Sequence, residues 1–395
     1  MPPLKRTLGC TLLLLTLGAQ EAYARIKLIT LPVRDRVEVQ LQHPNTTLIE
    51  EERTVPLIQG RNEIDFAWAN THIDPSTIVF RVVKHSNPSM KTNILSVSYP
   101  PNEAALTWAV SANQAGAATI RISYVINNLS KHYHYRARID QAEKIMVLSQ
   151  FMRVKNDANE GFEDSFVSIE GGQRFSLPLD INATQEVLVT RYPALPVKKL
   201  YLINPEQYGY EDRAQDKLKV PMFYQLDNTE QAGLGKMPLA AGKVRLFQED
   251  GHGTVAFLGE DRATYTALGD DMKLRVGQAK DIVVKRTIER KKRKRVEGNL
   301  YDYDITVKYS IENFKNQAVT LQIEESPQAL RNEVRHSYRA VQWSISPKTT
   351  FLKGLDKTET SQDKLVFHVA LPAKDGTAKA KKIEHKLNLI IKNEW

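Results

Sequence analysis

Six consecutive cations, Arg290, Lys291, Lys292, Arg293, Lys294 and Arg295, make the densest charge in the sequence. Ammonium and guanidinium groups packed this closely suit phosphate, sulfate or carboxylate partners. Each Lys or Arg near an anionic surface gives on the order of 1 kcal/mol, and the attraction fades as salt rises. The run contains no aromatic residue. Single-stranded nucleic acid needs aromatic stacking surfaces, so the run points away from nucleic acid. Anionic lipid, lipopolysaccharide, acidic polysaccharide or an envelope protein is the partner class it fits. The competing reading is a solvated hairpin tip with no partner.

Other residue types that do chemistry are sparser. His132 and His134 stand two apart in "KHYHYR", and on a strand they share a face. Two imidazoles without a third ligand nearby in sequence do not make a metal centre. His85, His252, His336, His368 and His385 are scattered with no ligand spacing. Acidic pairs occur at Glu163-Asp164, Glu249-Asp250, Glu260-Asp261, Asp270-Asp271 and Glu324-Glu325. A glycosidase needs two carboxylates converging across a bond. "EDG" at 249–251 and "GED" at 259–261 read more simply as turn tips. Serine-hydrolase, zinc-protease and phosphate-loop motifs are absent. The expectation is a non-enzyme with no catalytic residue, cofactor or metal; a hydrolase of envelope polysaccharide is the alternative.

The bulk numbers fit that expectation. The chain has 395 residues, 42% hydrophobic and 26% charged, enough for two or three cores. Lys5 and Arg6, the apolar "LGCTLLLLTLG" and the small residues of "AYA" read as an export signal cleaved after Ala24. The apolar run is too short to span a bilayer, and no later stretch is longer. Cys10, the single cysteine, lies in that signal, so the mature chain has no disulfide and no thiol chemistry. Removing Lys5, Arg6 and Glu21 lowers the formal charge from +9 to +8. Asn45, Asn128 and Asn182 open glycosylation sequons, which matter only in a eukaryotic secretory route.

The elements that must position these residues are strands. "RVEVQLQ" puts Val37, Val39 and Leu41 on one face, and "TIRISYVI" does the same with Ile120, Ile122, Tyr124 and Ile126. "DITVKYSIEN" aligns Ile305, Val307, Tyr309 and Ile311, and "AVTLQIEE" aligns Val319, Leu321 and Ile323. Alternation of this kind marks half-buried strands. An apolar-x-apolar-x-Asn phrase recurs, ending at Asn128, Asn156, Asn204, Asn228 and Asn313. It reads as a strand, an Asn exit, a turn and a return strand. The fold class expected is all-β, with two or three immunoglobulin-like sandwiches in series and little helix. The signal occupies 1–24. The first β domain covers 25–99 and closes at Pro100-Pro101, since proline cannot donate to a ladder. A middle sandwich covers 100–203 and a C-terminal sandwich 204–395. The basic run falls between two strands, at 291–299.

Several phrases also resemble a known family. "LIEEERTVPLIQGRNEIDF" with "IDPSTIVFRV" resembles its N-terminal region, and "TWAVSANQAGAATIRISYVINNLSKHYHYRARI" its entry to the middle domain. "PLAAGKVRLFQEDGHGTVAFLGEDR" is the most specific piece, supported by "LRVGQAKDIVVKR" and the final strand ending at Trp395. The family is that of the mucoidy-inhibitor-like exported proteins, whose C-terminal region is a domain of unknown function. The resemblance spans roughly residues 30–395. It implies an all-β, exported, periplasmic protein and a link to envelope polysaccharide, and it carries over no catalytic residue.

Overall fold

The computed structural model describes residues 26–28, 31–204, 215–332, 339–374 and 380–395. The expected signal at 1–24, with Cys10, lies outside the described residues. Strand makes up 64% and helix 4%, so the fold is all-β.

In chain order the strands begin with β1 (Ile26–Leu28), β2 (Arg36–Gln40), β3 (Thr47–Leu57), β4 (Gly60–Ala67), β5 (Ile73–His85), β6 (Thr92–Ser98), β7 (Ala105–Ala112) and β8 (Gly116–Ile126). Next come β9 (Leu129–Ile139), β10 (Ile145–Asn156), β11 (Phe162–Ser168), β12 (Arg174–Leu179), β13 (Thr184–Pro196), β14 (Lys198–Ile203) and β15 (Gln215–Asp227). The last are β16 (Gly242–Glu249), β17 (Val255–Ala263), β18 (Asp271–Glu297), β19 (Leu300–Asn313), β20 (Val319–Glu325), β21 (Gln342–Ile345), β22 (Leu365–Leu371) and β23 (Lys382–Glu394). A short helix, α1 (Pro327–Asn332), follows β20.

Two compact units emerge. The first takes the described residues up to Ser130 together with Lys155–Gln185; the second takes Lys131–Val154 together with Glu186–Trp395. This partition differs from the serial domains read from sequence. Pro100 and Pro101 sit in the connection between β6 and β7, which pair directly in one sheet. Likewise the break at 203/204 separates β14 from β15, an antiparallel pair. Proline and polar residues mark where a ladder stops, and a ladder stops at hairpins as well as at domain borders.

The first unit is a sandwich. Its four-stranded sheet runs β1-β4-β7-β6 and its six-stranded sheet β12-β11-β2-β3-β8-β5. The two layers meet through aromatic side chains. Phe66 of β4 lies 5.7 Å from Tyr124 of β8, and Phe80 of β5 lies 4.6 Å from Trp108 of β7. Parallel pairing of β1 with β4 and of β2 with β11 departs from the antiparallel pattern of immunoglobulin sheets.

The second unit has a five-stranded sheet, β13-β10-β9-β16-β17, and an eight-stranded one, β21-β23-β19-β18-β15-β14-β20-β22. The larger sheet curls over a single core that takes Val284, Val307, Ile323, Phe367 and Leu389 from five of its strands. A second core joins Tyr135, Leu148 and Val244 of the smaller sheet to Tyr224, Leu226 and Leu274, which lie on β15 and β18. The 27-residue β18 therefore serves both cores before it leaves them.

The recurring asparagines fasten the hairpins. Asn156, Asn228 and Asn313 are buried. The Asn156 amide donates to the carbonyls of Glu160, Leu179 and Asp180, and its oxygen accepts the Ala158 N–H. Asn313 does the same with Gln317, Pro372 and the Lys315 N–H. Each side chain satisfies backbone groups that a turn leaves without a ladder. Asn128 works the other way, exposed and left-handed at φ 64.

Within the larger sheet one ion pair is wholly buried. Arg286 of β18 donates to Glu325 of β20 through Nε at 2.8 Å and Nη2 at 3.2 Å, and the Tyr309 hydroxyl donates to the same carboxylate. Burial works against the Arg286 charge, but Glu325 more than offsets it and the guanidinium stays protonated. Glu325→Gln leaves that cation without its anion in the core. We expect a loss of about 3–5 kcal/mol in urea unfolding. The double variant Arg286→Met, Glu325→Leu should recover most of that loss, and failure to recover would show that the contact stabilises beyond charge neutralisation.

Candidate functional site

The basic run lies within β18, not in the connection that follows it. The strand continues through Glu297, and the turn is only Gly298 and Asn299, with Gly298 at φ 51. This corrects the expectation that 291–299 lies between strands. A tight two-residue turn needs a residue at positive φ, which Gly298 supplies. The pairing with β19 then carries the ladder through the charged segment to the tip.

Register explains how six cations tolerate a strand. Lys292 faces Asp304 and Lys294 faces Asp302 across the ladder, while Arg293 faces Tyr303 and Arg295 faces Tyr301. Directly opposed side chains of opposite charge stabilise a sheet, and like charges do the reverse. "YDYD" in the return strand thus complements "KRKR" at 292–295 residue by residue. Pleating separates the two sets, with lysines and aspartates on one face and arginines and tyrosines on the other. The Arg293 guanidinium lies 3.3 Å from the Tyr301 ring centroid, and Arg295 Nε donates to the Gly298 carbonyl at 2.7 Å. Arg290 and Lys291 pair through their backbones with Thr306 and Ile305.

Lys292 through Asn299 are all exposed, and Val296 retains 53% of its surface. From 290 to 304 the six cations and three carboxylates leave +3. Tyr301 also pairs with Glu394, the last residue of β23, so the exposed Trp395 follows just past the end of the neighbouring strand. The ribbon therefore offers guanidinium groups for phosphate or carboxylate and aromatic faces for sugar rings or an interfacial layer. Sequence reasoning missed these aromatics because they belong to the next strand; the cross-strand match of charge signs was the signal that could have found them.

The remaining sequence candidates divide. His134 stacks on Phe151 at 5.2 Å and approaches Glu186 at 3.4 Å. Glu186 also receives Arg136 and Arg153, and burial with those arginines holds the imidazole below its ordinary range. His132 is exposed on the same strand. Glu249-Asp250 does lie at a hairpin tip, where Asp250 accepts the N–H groups of His252 and Thr254. Glu260-Asp261 does not. Both sit inside β17, with Arg245 on Glu260 at 2.9 Å, because Gly259 marks a register shift and not a turn.

Two cavities bear on the hydrolase alternative. One of about 400 Å³ is lined by Asn204, Glu324, Glu325, Ser326, Gln328, Asp363 and Lys364. It holds carboxylates but no aromatic wall, and Glu325 is engaged by Arg286. The other, of about 250 Å³, lies in the first unit beside Arg34, Arg53, Tyr124 and Glu160. There the buried Glu51 accepts from Arg34 at 2.6 Å and from Arg53 at 2.9 Å, a network that neutralises itself.

No protein-family model matches the chain, and no curated protein is significantly similar to it.

One carboxylate pair does converge. Asp227 and Asp271 are opposed at the ends of β15 and β18, and Gln225 Nε2 donates to both. Lys198 holds Asp227 below the ordinary range; burial and the Asp227 charge push Asp271 up. A carboxyl whose folded pKa exceeds its unfolded value costs stability once pH rises through that unfolded value. Asp271→Asn should therefore raise the thermal midpoint above about pH 5 and leave it unchanged below about pH 3. A thermal-melt series across that range checks the sign.

Proposed function

We propose that this is an exported, non-catalytic β protein that binds anionic components of a cell envelope, with the β18–β19 ribbon as the contact. The observation that carries the reading is the face that joins the exposed Arg293 and Arg295 to the half-buried Tyr301 and Tyr303. Charge alone would make a solvated strand end. Arginines interleaved with aromatics make a surface that gains from both the anion and the ring or acyl boundary of its partner. The formal net charge of +8 left once the expected signal is removed draws the same partners at long range.

The compartment comes from the N-terminal signal pattern and from a mature chain without cysteine. No helix among the described residues is long and apolar enough to cross a membrane. Periplasmic residence and kinship with the mucoidy-inhibitor-like proteins belong to the proposal, supported by the phrases quoted above. Exposed hairpin tips and sheet edges are the working surfaces.

The experiment is co-sedimentation of the mature protein with isolated envelopes, anionic vesicles and an acidic polysaccharide at low and high salt. Arg293→Ser with Arg295→Ser should weaken binding by about 2 kcal/mol, roughly 30-fold. Tyr301→Ser with Tyr303→Ser should weaken it while leaving the salt slope intact. Equal binding by all three proteins would remove the ribbon from the site. Binding that needs neither lipid nor polysaccharide but follows contaminating nucleic acid would overturn the partner class.

A further inference from the structure

Away from the ribbon, a second constellation forms where the sequence gives no spacing signal. His368 stands on β22, directly opposite Gln322 of β20. Asp356 and Glu359 come from the segment that precedes β22. One ligand atom from each of Asp356, Glu359 and His368 can be chosen so that all lie within 4.8 Å of one another, and all three residues are half-buried.

The local fold explains why they meet. The segment is laid directly on β22. Leu355 bridges Phe367, and the Asp356 N–H donates to the Val366 carbonyl at 2.9 Å. Gly354 passes so close to His368 that a Cβ there would lie 2.3 Å from the His368 carbonyl oxygen, so only glycine fits. Asp356 then turns the chain. Its Oδ1 accepts from the Thr358 N–H at 2.8 Å, the Thr358 hydroxyl at 2.6 Å and the Glu359 N–H at 3.2 Å. Those bonds hold the carboxyl down to about 2, so it is ionised throughout the ordinary range. They also leave Oδ2 directed at His368 Nε2, 3.3 Å away.

We propose that Asp356, Glu359 and His368 bind one divalent transition-metal ion, of which zinc is the best match. Zinc takes imidazole nitrogen and carboxylate oxygen at about 2.0–2.2 Å. A tetrahedron with arms of that length has edges of roughly 3.3–3.6 Å, and His368 Nε2 lies 3.3 Å from Asp356 Oδ2. Glu359 completes the set, with a ligand atom inside the same 4.8 Å limit. Calcium and magnesium prefer all-oxygen shells, so the imidazole selects against them. Outer contacts orient the ligands. The Gln322 amide, itself buried, donates to Glu359 at 3.5 Å and to Glu324 at 2.9 Å, and the Thr358 donors fix Asp356. Half-burial leaves the remaining coordination positions to water. Binding would clamp the segment before β22 onto the β20–β22 pair.

Isothermal titration of the metal-stripped full mature chain with zinc tests the site. One zinc per chain is expected, with a rise in thermal midpoint. His368→Gln and Glu359→Gln should each weaken binding at least tenfold and abolish the rise. His132→Gln with His134→Gln should leave both unchanged. Circular dichroism must first show the variants folded; Glu359→Gln, a near-isosteric change outside the strands, keeps the test open if His368→Gln fails to fold. No zinc uptake, uptake indifferent to both ligand variants, uptake lost with His132 and His134, or an equal response to magnesium would each overturn the proposal.

Discussion

Arg286, Glu325 and Tyr309 form the contact on which the larger sheet depends. β18 and β20 are separated in the sheet order by β15 and β14, yet their side chains meet in the core. The sheet must curl for that to happen. Two charges removed from water return little net energy unless their geometry is nearly complete. Here both guanidinium bonds and the phenol hydroxyl complete it. The contact also excludes alternatives. A one-residue slip of β18 would turn Arg286 to the opposite face and strand Glu325 in the core. Beyond the core the β18–β19 register shifts once, between Ile288 and Arg290, before it runs through the charged segment.

That register makes the ribbon chemically coherent. The core face of β19 ends in Ile305, and the same face continues outward through Tyr303 and Tyr301. Arginines meet it from β18. The opposite face, solvent-facing already, receives the lysines and aspartates. One pleat therefore sorts a charge-dense segment into a lysine–aspartate side and an arginine–tyrosine side, with no loop required.

Individual strands were legible from their side-chain period. The alternating sets on β2, β8 and β19 are buried as the pattern requires, because one wet and one dry face leave that mark on a half-covered strand; on β20 Leu321 and Ile323 are buried and Val319 half-buried, while Gln322 and Glu324 of its other face are buried as well. The asparagine exits were legible as turns, but not as buried fasteners, since the carbonyls they satisfy come from distant turns such as that at Pro372. Sheet order was not legible. Alternation says that a strand has a buried face and nothing about which strand lies beside it, so hairpin breaks at Pro100 and after Ile203 read as domain borders. The same blindness hid the tyrosines opposite the basic run and the approach of His368 to Asp356, whose encounter depends on the glycine that lets two backbones touch.

The length of β18 has a mechanical side. At about 3.3 Å per residue, its 27 residues could reach roughly 90 Å if straight. Its inner portion is laced to β15 and its outer portion to β19, both antiparallel. A pull at the tip along the strand axis loads in shear the bonds that tie β18 to β15 and β19 to β23, so many must yield together. A pull across the axis opens the same ladder one rung at a time. An envelope layer that holds the tip and drags it lengthwise would therefore meet a stiff tether, whereas sideways traction would peel the ribbon and leave the two cores folded behind it.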